Sequence, residues 1–161
     1  MPGFLQHFVE AWTSVYANHA AVRTAVSFLH IAGLVGAGGA AIGADRATLI
    51  AARADQRARQ LQLGSLQGTH RIVLFGLALV ILSGLLLFGA DVDTFLHSRF
   101  FWLKMALVAL LFVNGGVLLE AERRAAQGSA AGWTALKATA IASLALWFLT
   151  TLAGAALPNI G

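Results

Sequence analysis

LHIAGLVGAGGAAIGADR, running from Leu29 to Arg46, admits two opposed readings. Gly36, Gly38 and Ala41 satisfy the spacing G-x-G-x-x-A, in which a glycine loop carries a dinucleotide pyrophosphate at a helix N-terminus. The same letters also set small residues about one helical turn apart in an apolar run that opens with a histidine. A cofactor loop needs a strand before it and a helix after it, and no strand pattern precedes Gly36. The stretch therefore reads as part of a membrane-crossing helix. In that helix Gly36, Gly39 and Gly43, with Ala32 and Ala40, form a stripe where a second helix can come close.

The composition points the same way. Of the 161 residues, 58% are hydrophobic and 11% charged, and the mean hydropathy is +0.76. A soluble domain is roughly 45–50% apolar with glycine counted and about 25% charged. One soluble domain of this length has no way to hide so much apolar surface. No cysteine is present, which excludes disulfides, thiolate metal sites, c-type haem attachment and iron–sulfur clusters. The formal net charge is +4. Its basic residues stand between apolar runs and not in one patch, so they speak for orientation in a bilayer and against nucleic-acid binding.

Four runs are long enough to cross roughly 30 Å of hydrocarbon, which takes about 20 residues at 1.5 Å each. They are Val22–Ala44, Ile72–Ala90, Phe100–Leu119 and Ala138–Leu157. The expected fold is an all-α integral membrane protein, a four-transmembrane-helix antiparallel bundle forming one domain over residues 1–161. The loop between the first two spans holds Arg46, Arg53, Arg57, Arg59 and Arg71, and the loop between the last two holds Arg123, Arg124 and Lys137. The other side holds Arg23 and Arg99. By the positive-inside rule both basic loops face the cytoplasm and both termini face outward.

Residues 3–17 place Phe4, Phe8, Trp12 and Val15 on one stripe, the pattern of an interfacial amphipathic helix. The segment lacks a basic n-region and a clean cleavage site, so it does not read as a signal peptide. Ala44–Gln62 is rich in alanine and arginine, without proline or glycine, and extends the first span. The run GSLQGT, Gly64–Thr69, is then expected to turn the chain.

Chemistry has few places to reside. By rise per residue, His30 lies about 4 Å to the outer side of the midplane and Lys104 about 8 Å. His19 and His97 lie near the outer surface. His19 and His30 are three turns apart on one face, and His97 shares a face with Lys104. If those faces meet, two polar layers result: His19 with His97, and His30 with Lys104. Ionisable residues inside a span are costly and default to functional candidates. Two histidines on facing helices suit b-haem or a metal. Within one chain only His19 and His97 share a depth, whereas His30 would need a histidine from a second copy or another partner. The ordinary reading of the same residues is interfacial histidines, a His30 hydrogen-bonded to its neighbour, and a snorkelling Lys104. Asp91 and Asp93 stand just before His97. With His19 they offer a metal set, or equally a polar turn with a helix cap. His70 reads as interfacial or capping, and Asn114 as interhelical glue.

Three pieces in this order carry a family resemblance: FLHIAGLVGAGGAAIGADR, HRIVLFGLALVILSGLLLFGADVDTF and FWLKMALVALLFVNG. Together they resemble small bacterial four-span membrane proteins of unknown function, distantly similar to the CopD-like copper-resistance membrane domain. The resemblance implies that His30 and Lys104 are the positions of interest, an inner-membrane location, and copper or redox chemistry. The chain departs from a copper importer in having only Met1 and Met105, without the methionine clusters that Cu(I) favours.

No nucleophile–base–acid constellation is visible. The leading expectation is a small inner-membrane protein, redox-linked through haem b or a metal held by histidines. The alternative is a noncatalytic subunit of a larger membrane assembly, as a homo-oligomer or with other membrane subunits.

Overall fold

A computed structural model describes the backbone of residues 3–160, with side chains for all of these except residues 4, 5 and 158–160. The described chain is helical throughout: α1 (Gly3–Asn18), α2 (Ala20–Ala51), α3 (Gln56–Ala90), α4 (Val92–His97), α5 (Arg99–Ala126) and α6 (Ala130–Ile160). Four helices, α2, α3, α5 and α6, are long and apolar enough to cross a membrane. Their outward faces carry Phe28, Phe75 and Phe148, all largely exposed.

The first turn is not where the glycines suggest. GSLQGT lies inside α3, and the chain reverses at residues 53–55. Asp55 caps α3, its carboxylate accepting from the Ala58 N–H at 2.8 Å. Inside α3, Ser65 Oγ donates to the Gln62 carbonyl at 2.8 Å and Thr69 Oγ1 to that of Ser65 at 3.3 Å. With those hydroxyls satisfied on their own helix, Gly64 and Gly68 cost only about 1 kcal/mol each in propensity and do not break it. The second turn follows a Schellman pattern. Ser129 N–H reaches the Arg124 carbonyl at 3.1 Å, and Gly128 N–H reaches that of Ala125 at 3.0 Å. Gly128 has a φ of +83°, a conformation that favours glycine. Ser129 Oγ then caps α6 by accepting from Gly132 N–H at 3.2 Å.

The long helices pack as two hairpins. In the α2–α3 pair, a Cβ added at Gly33 would lie 2.9 Å from Val80 and 3.0 Å from the Gly76 carbonyl, and one at Gly76 would lie 2.8 Å from the Ala37 Cβ. In the α5–α6 pair, Asn114 Nδ2 donates to the Thr139 carbonyl at 3.1 Å, and the Lys104 side chain lies along Gly154. The hairpins meet chiefly through α2 and α6, where the Trp147 ring covers Gly38, 3.2 Å from where a Cβ would stand. Ala37, Leu111 and Trp147 form one core cluster. A second joins the two turns: Ala121, Ala125, Trp133 and Leu136, with Ala52 and Leu63 packed against them. Above it Arg59 donates to the Ala52 carbonyl at 2.8 Å and lies 5.3 Å over the Trp133 ring. Both turns, with their arginines, therefore share one end of the molecule.

The small-residue stripe is not used as expected within the chain. A Cβ at Gly36, Gly39 or Gly43 would meet nothing within 4 Å. Close approach falls instead to Gly33, Ala37 and Gly38. His30, Gly33 and Ala37 occupy the face turned to α3, and the stripe lies one position round the helix. At the other end α1 docks on α3: Trp12 Nε1 donates to the Leu86 carbonyl at 2.8 Å and Thr13 Oγ1 to that of Gly89 at 3.3 Å. Phe8 and Val15 stay exposed, whereas the side chain of Phe4 lies outside the described residues.

Candidate functional site

Each histidine named above has a definite place. His19, at the break between α1 and α2, bonds its Nδ1 to the Val15 carbonyl at 3.0 Å. His97, closing α4, bonds its Nδ1 to the Asp93 carbonyl at 2.7 Å. Asp91 caps α4, accepting from Thr94 N–H at 3.3 Å, and Asp93 sits in that helix's first turn. All four are exposed, and their hydrogen bonds are made with their own segments. Among the described residues no group of three or more histidine, cysteine, aspartate or glutamate side chains is arranged to hold a metal ion.

His30 is half-buried and reaches across to α3, its Nδ1 lying 3.0 Å from Ser83 Oγ. The Ser83 hydroxyl lies 2.6 Å from the Leu79 carbonyl and donates its single proton there. With the serine proton on that carbonyl, the tautomer that suits the contact donates at Nδ1 and keeps its lone pair on Nε2. Lys104, the other residue of the deeper layer, lies along Gly154 of α6, within electrostatic range of His30. Ser83, the one hydroxyl side chain between Ile72 and Ala90, therefore orients the histidine.

The polar groups that the sequence did not single out as a site lie towards the turn end. There α3 and α5 barely touch. They meet through the stacked rings of Phe88 and Phe101 at one end, with centroids 5.5 Å apart, and through His70 and Glu122 at the other, Nε2 to Oε2 3.6 Å. Beside the second contact a cavity of about 250 Å³ opens between the two helices. Leu66, Val73 and Leu77 of α3 and Leu111, Gly115 and Leu118 of α5 line its walls, and Trp147 of α6 lines it too. Its polar members are Asp45 on α2, Thr69 and His70 on α3, Asn114 on α5 and Ser143 on α6.

Asp45 is the unusual one. It is 4% exposed. Ser143 of α6 stands beside its carboxylate, but Oδ2 has no partner among the described residues. One turn further on, Thr48 and the Ala44 carbonyl accept from Gln62 Nε2, at 3.1 and 3.3 Å. Cross-pairing of Asp45 or Arg46 with the charges ending α5 does not occur. Glu120 pairs on its own helix with Arg124 at 2.9 Å and Arg123 at 3.9 Å, and Arg46 is exposed. A sequence signal for Asp45 did exist: it is an acid at a span's edge with no basic residue three or four positions away on either side.

This chain matches no known family model, no curated protein and no solved structure.

Proposed function

We propose that the chain is a multi-pass membrane protein, an antiparallel four-span bundle with both termini outside, and that its α3–α5 groove takes a small, largely apolar molecule from the bilayer. The observation that carries this is the gap itself. Beside the His70–Glu122 pair, an apolar-walled cavity of about 250 Å³ between α3 and α5 reaches in to a buried carboxylate and Trp147. Helices that serve only to support one another close such gaps, because interiors pack to crystal-like density. The clustering of Arg53, Arg57, Arg59, Arg123 and Arg124 near turns that share one end supports the orientation. The groove then opens at the level of the cytoplasmic leaflet. The reading is of a binding protein without catalysis of its own, consistent with a place in a larger membrane assembly.

Gly115 provides the test, because it lines the cavity and a Cβ there meets nothing within 4 Å. Gly115→Leu should fill the groove without a clash. Native mass spectrometry of the wild-type protein released from its membrane should show a retained apolar molecule at about one per chain. The variant should lose it while melting no lower. Equal retention by both, or none by the wild type, would remove the reading.

One observation favours a second function, redox chemistry through haem b at His30. The Ser83 contact suits a donor at Nδ1 and leaves Nε2 as a ligand atom, the usual arrangement of a metal-binding histidine. The opposite ligand would come from a second copy. A purified sample without a Soret band, unchanged by added haemin, would exclude it.

A further inference from the structure

We infer that the guest of the α3–α5 groove carries an ammonium group, which Asp45 holds. The inference rests on the groove being a binding site and adds the chemistry of what binds.

A buried carboxylate oxygen without a donor bears its desolvation cost uncompensated. Asp45 Oδ2 is such an atom, in a side chain 4% exposed that lines the cavity. Among the described residues no side chain donates to that oxygen, and His70, which shares the cavity, stands against Glu122. The cavity lining includes neither lysine nor arginine. Ala41, Ile42, Thr48 and Leu49 occupy the positions three and four away on α2. Glu120, with two arginines on its own helix, shows what a carboxylate of this chain looks like when it is neutralised internally.

A guest with N–H donors and a positive charge completes Asp45. A guest anion is repelled by it, and a quaternary ammonium brings charge but no donor. The volume limits the rest of the guest. About 250 Å³ falls just below the roughly 300–1,000 Å³ of ordinary small-molecule sites, and it suits one alkyl chain better than the two of a phospholipid. The assigned class is a single-chain lipophilic primary amine, its tail between Leu77 and Leu111 and its ammonium at Asp45 beside Ser143.

The test uses decylamine, decanol and decanoic acid, each bearing a mid-chain diazirine, with the full chain in phosphatidylcholine nanodiscs. At equal membrane concentration the amine should label residues 65–77 and 111–119 about tenfold more than the alcohol, the size of one charge-assisted hydrogen bond. Asp45→Asn should bring amine labelling down to the alcohol's level and leave the alcohol unchanged. Should that variant fail to fold, competition on the wild type decides: unlabelled decylamine should displace the probe about tenfold better than decyltrimethylammonium. Equal labelling by amine and alcohol, or a preference for the acid, overturns the ammonium assignment and spares the groove, and equal competition by the quaternary ammonium overturns the primary-amine class. Labelling of neither segment by any probe overturns the groove as a site.

Discussion

The two ends of the molecule treat polar residues in opposite ways. At the α1–α4 end, His19, His97 and Asp91 bond to backbone groups within four residues of themselves. At the turn end, Gln62 reaches from α3 to α2, Arg59 lies over α6, Asp45 meets Ser143 and His70 meets Glu122. A polar side chain near a helix terminus finds unsatisfied backbone close by. One that projects between long apolar helices finds its own backbone already bonded, so its partner has to come from another helix. Polar groups at the turn end therefore join helices and frame a cavity, whereas at the other end the histidines and Asp91 finish their own segments and only Trp12 and Thr13 reach across, docking α1 on α3.

Mutations should separate the two ends by size of effect. The largest belongs to Trp133, which is buried where the two turns meet. Trp133→Ala should cost about 3–5 kcal/mol, read as lost resistance to unfolding in detergent. A loss below about 1 kcal/mol would mean that the turn end does not anchor the hairpins. Gln62→Leu removes the donor shared by the Ala44 carbonyl and Thr48. It should cost about 1 kcal/mol, since interhelical hydrogen bonds in membranes average about 0.6 and reach about 1.7. Asp91→Ala, at the other end, removes a cap from a six-residue helix. It should cost about 0.5–1 kcal/mol, with hydrogen exchange quickening in residues 92–97 alone. Protection lost beyond α4 would contradict the local character of that end.

The same difference explains what could be read from the residues directly. The four long helices were legible because a run of apolar residues needs no partner to declare itself. The docking of α1 was half legible: its stripe includes Trp12, but nothing in the spacing says that the indole N–H goes to the Leu86 carbonyl. The first turn is not legible because Gly64, Ser65 and Gly68 resemble breakers, whereas a single carboxylate at Asp55 sets the start of α3. Gly36, Gly39 and Gly43 have the spacing of a close-packing face. Which face of α2 meets α3 is decided by where Gly76 and Val80 stand on the other helix, and one helix cannot show that. The groove was illegible for the same reason, since it exists only because the hairpins join through α2 and α6. Asp45 alone left a trace, in the absence of any cation on its own face.

The smallest expected effect is the most discriminating. His19 and His97 are the residues that histidine chemistry selects first, and the structure has each of them bonding a carbonyl four residues back. Replacing both with glutamine keeps a side-chain donor and an apolar stem of similar reach while removing the imidazole. If those contacts only finish their helices, the double variant should lie within about 0.5 kcal/mol of the parent, as exposed substitutions usually do. Its absorption spectrum and its iron and copper content should be unchanged. A lost Soret band or a lost stoichiometric metal would put a ligand site at the α1–α4 end, formed by groups from more than one helix. The contrast between the ends would then be one of occupancy and not of local against interhelical bonding. Neither loss is expected, because an exposed imidazole bonded through Nδ1 to a carbonyl four residues back, with no metal-holding group beside it among the described residues, has the surroundings of a cap.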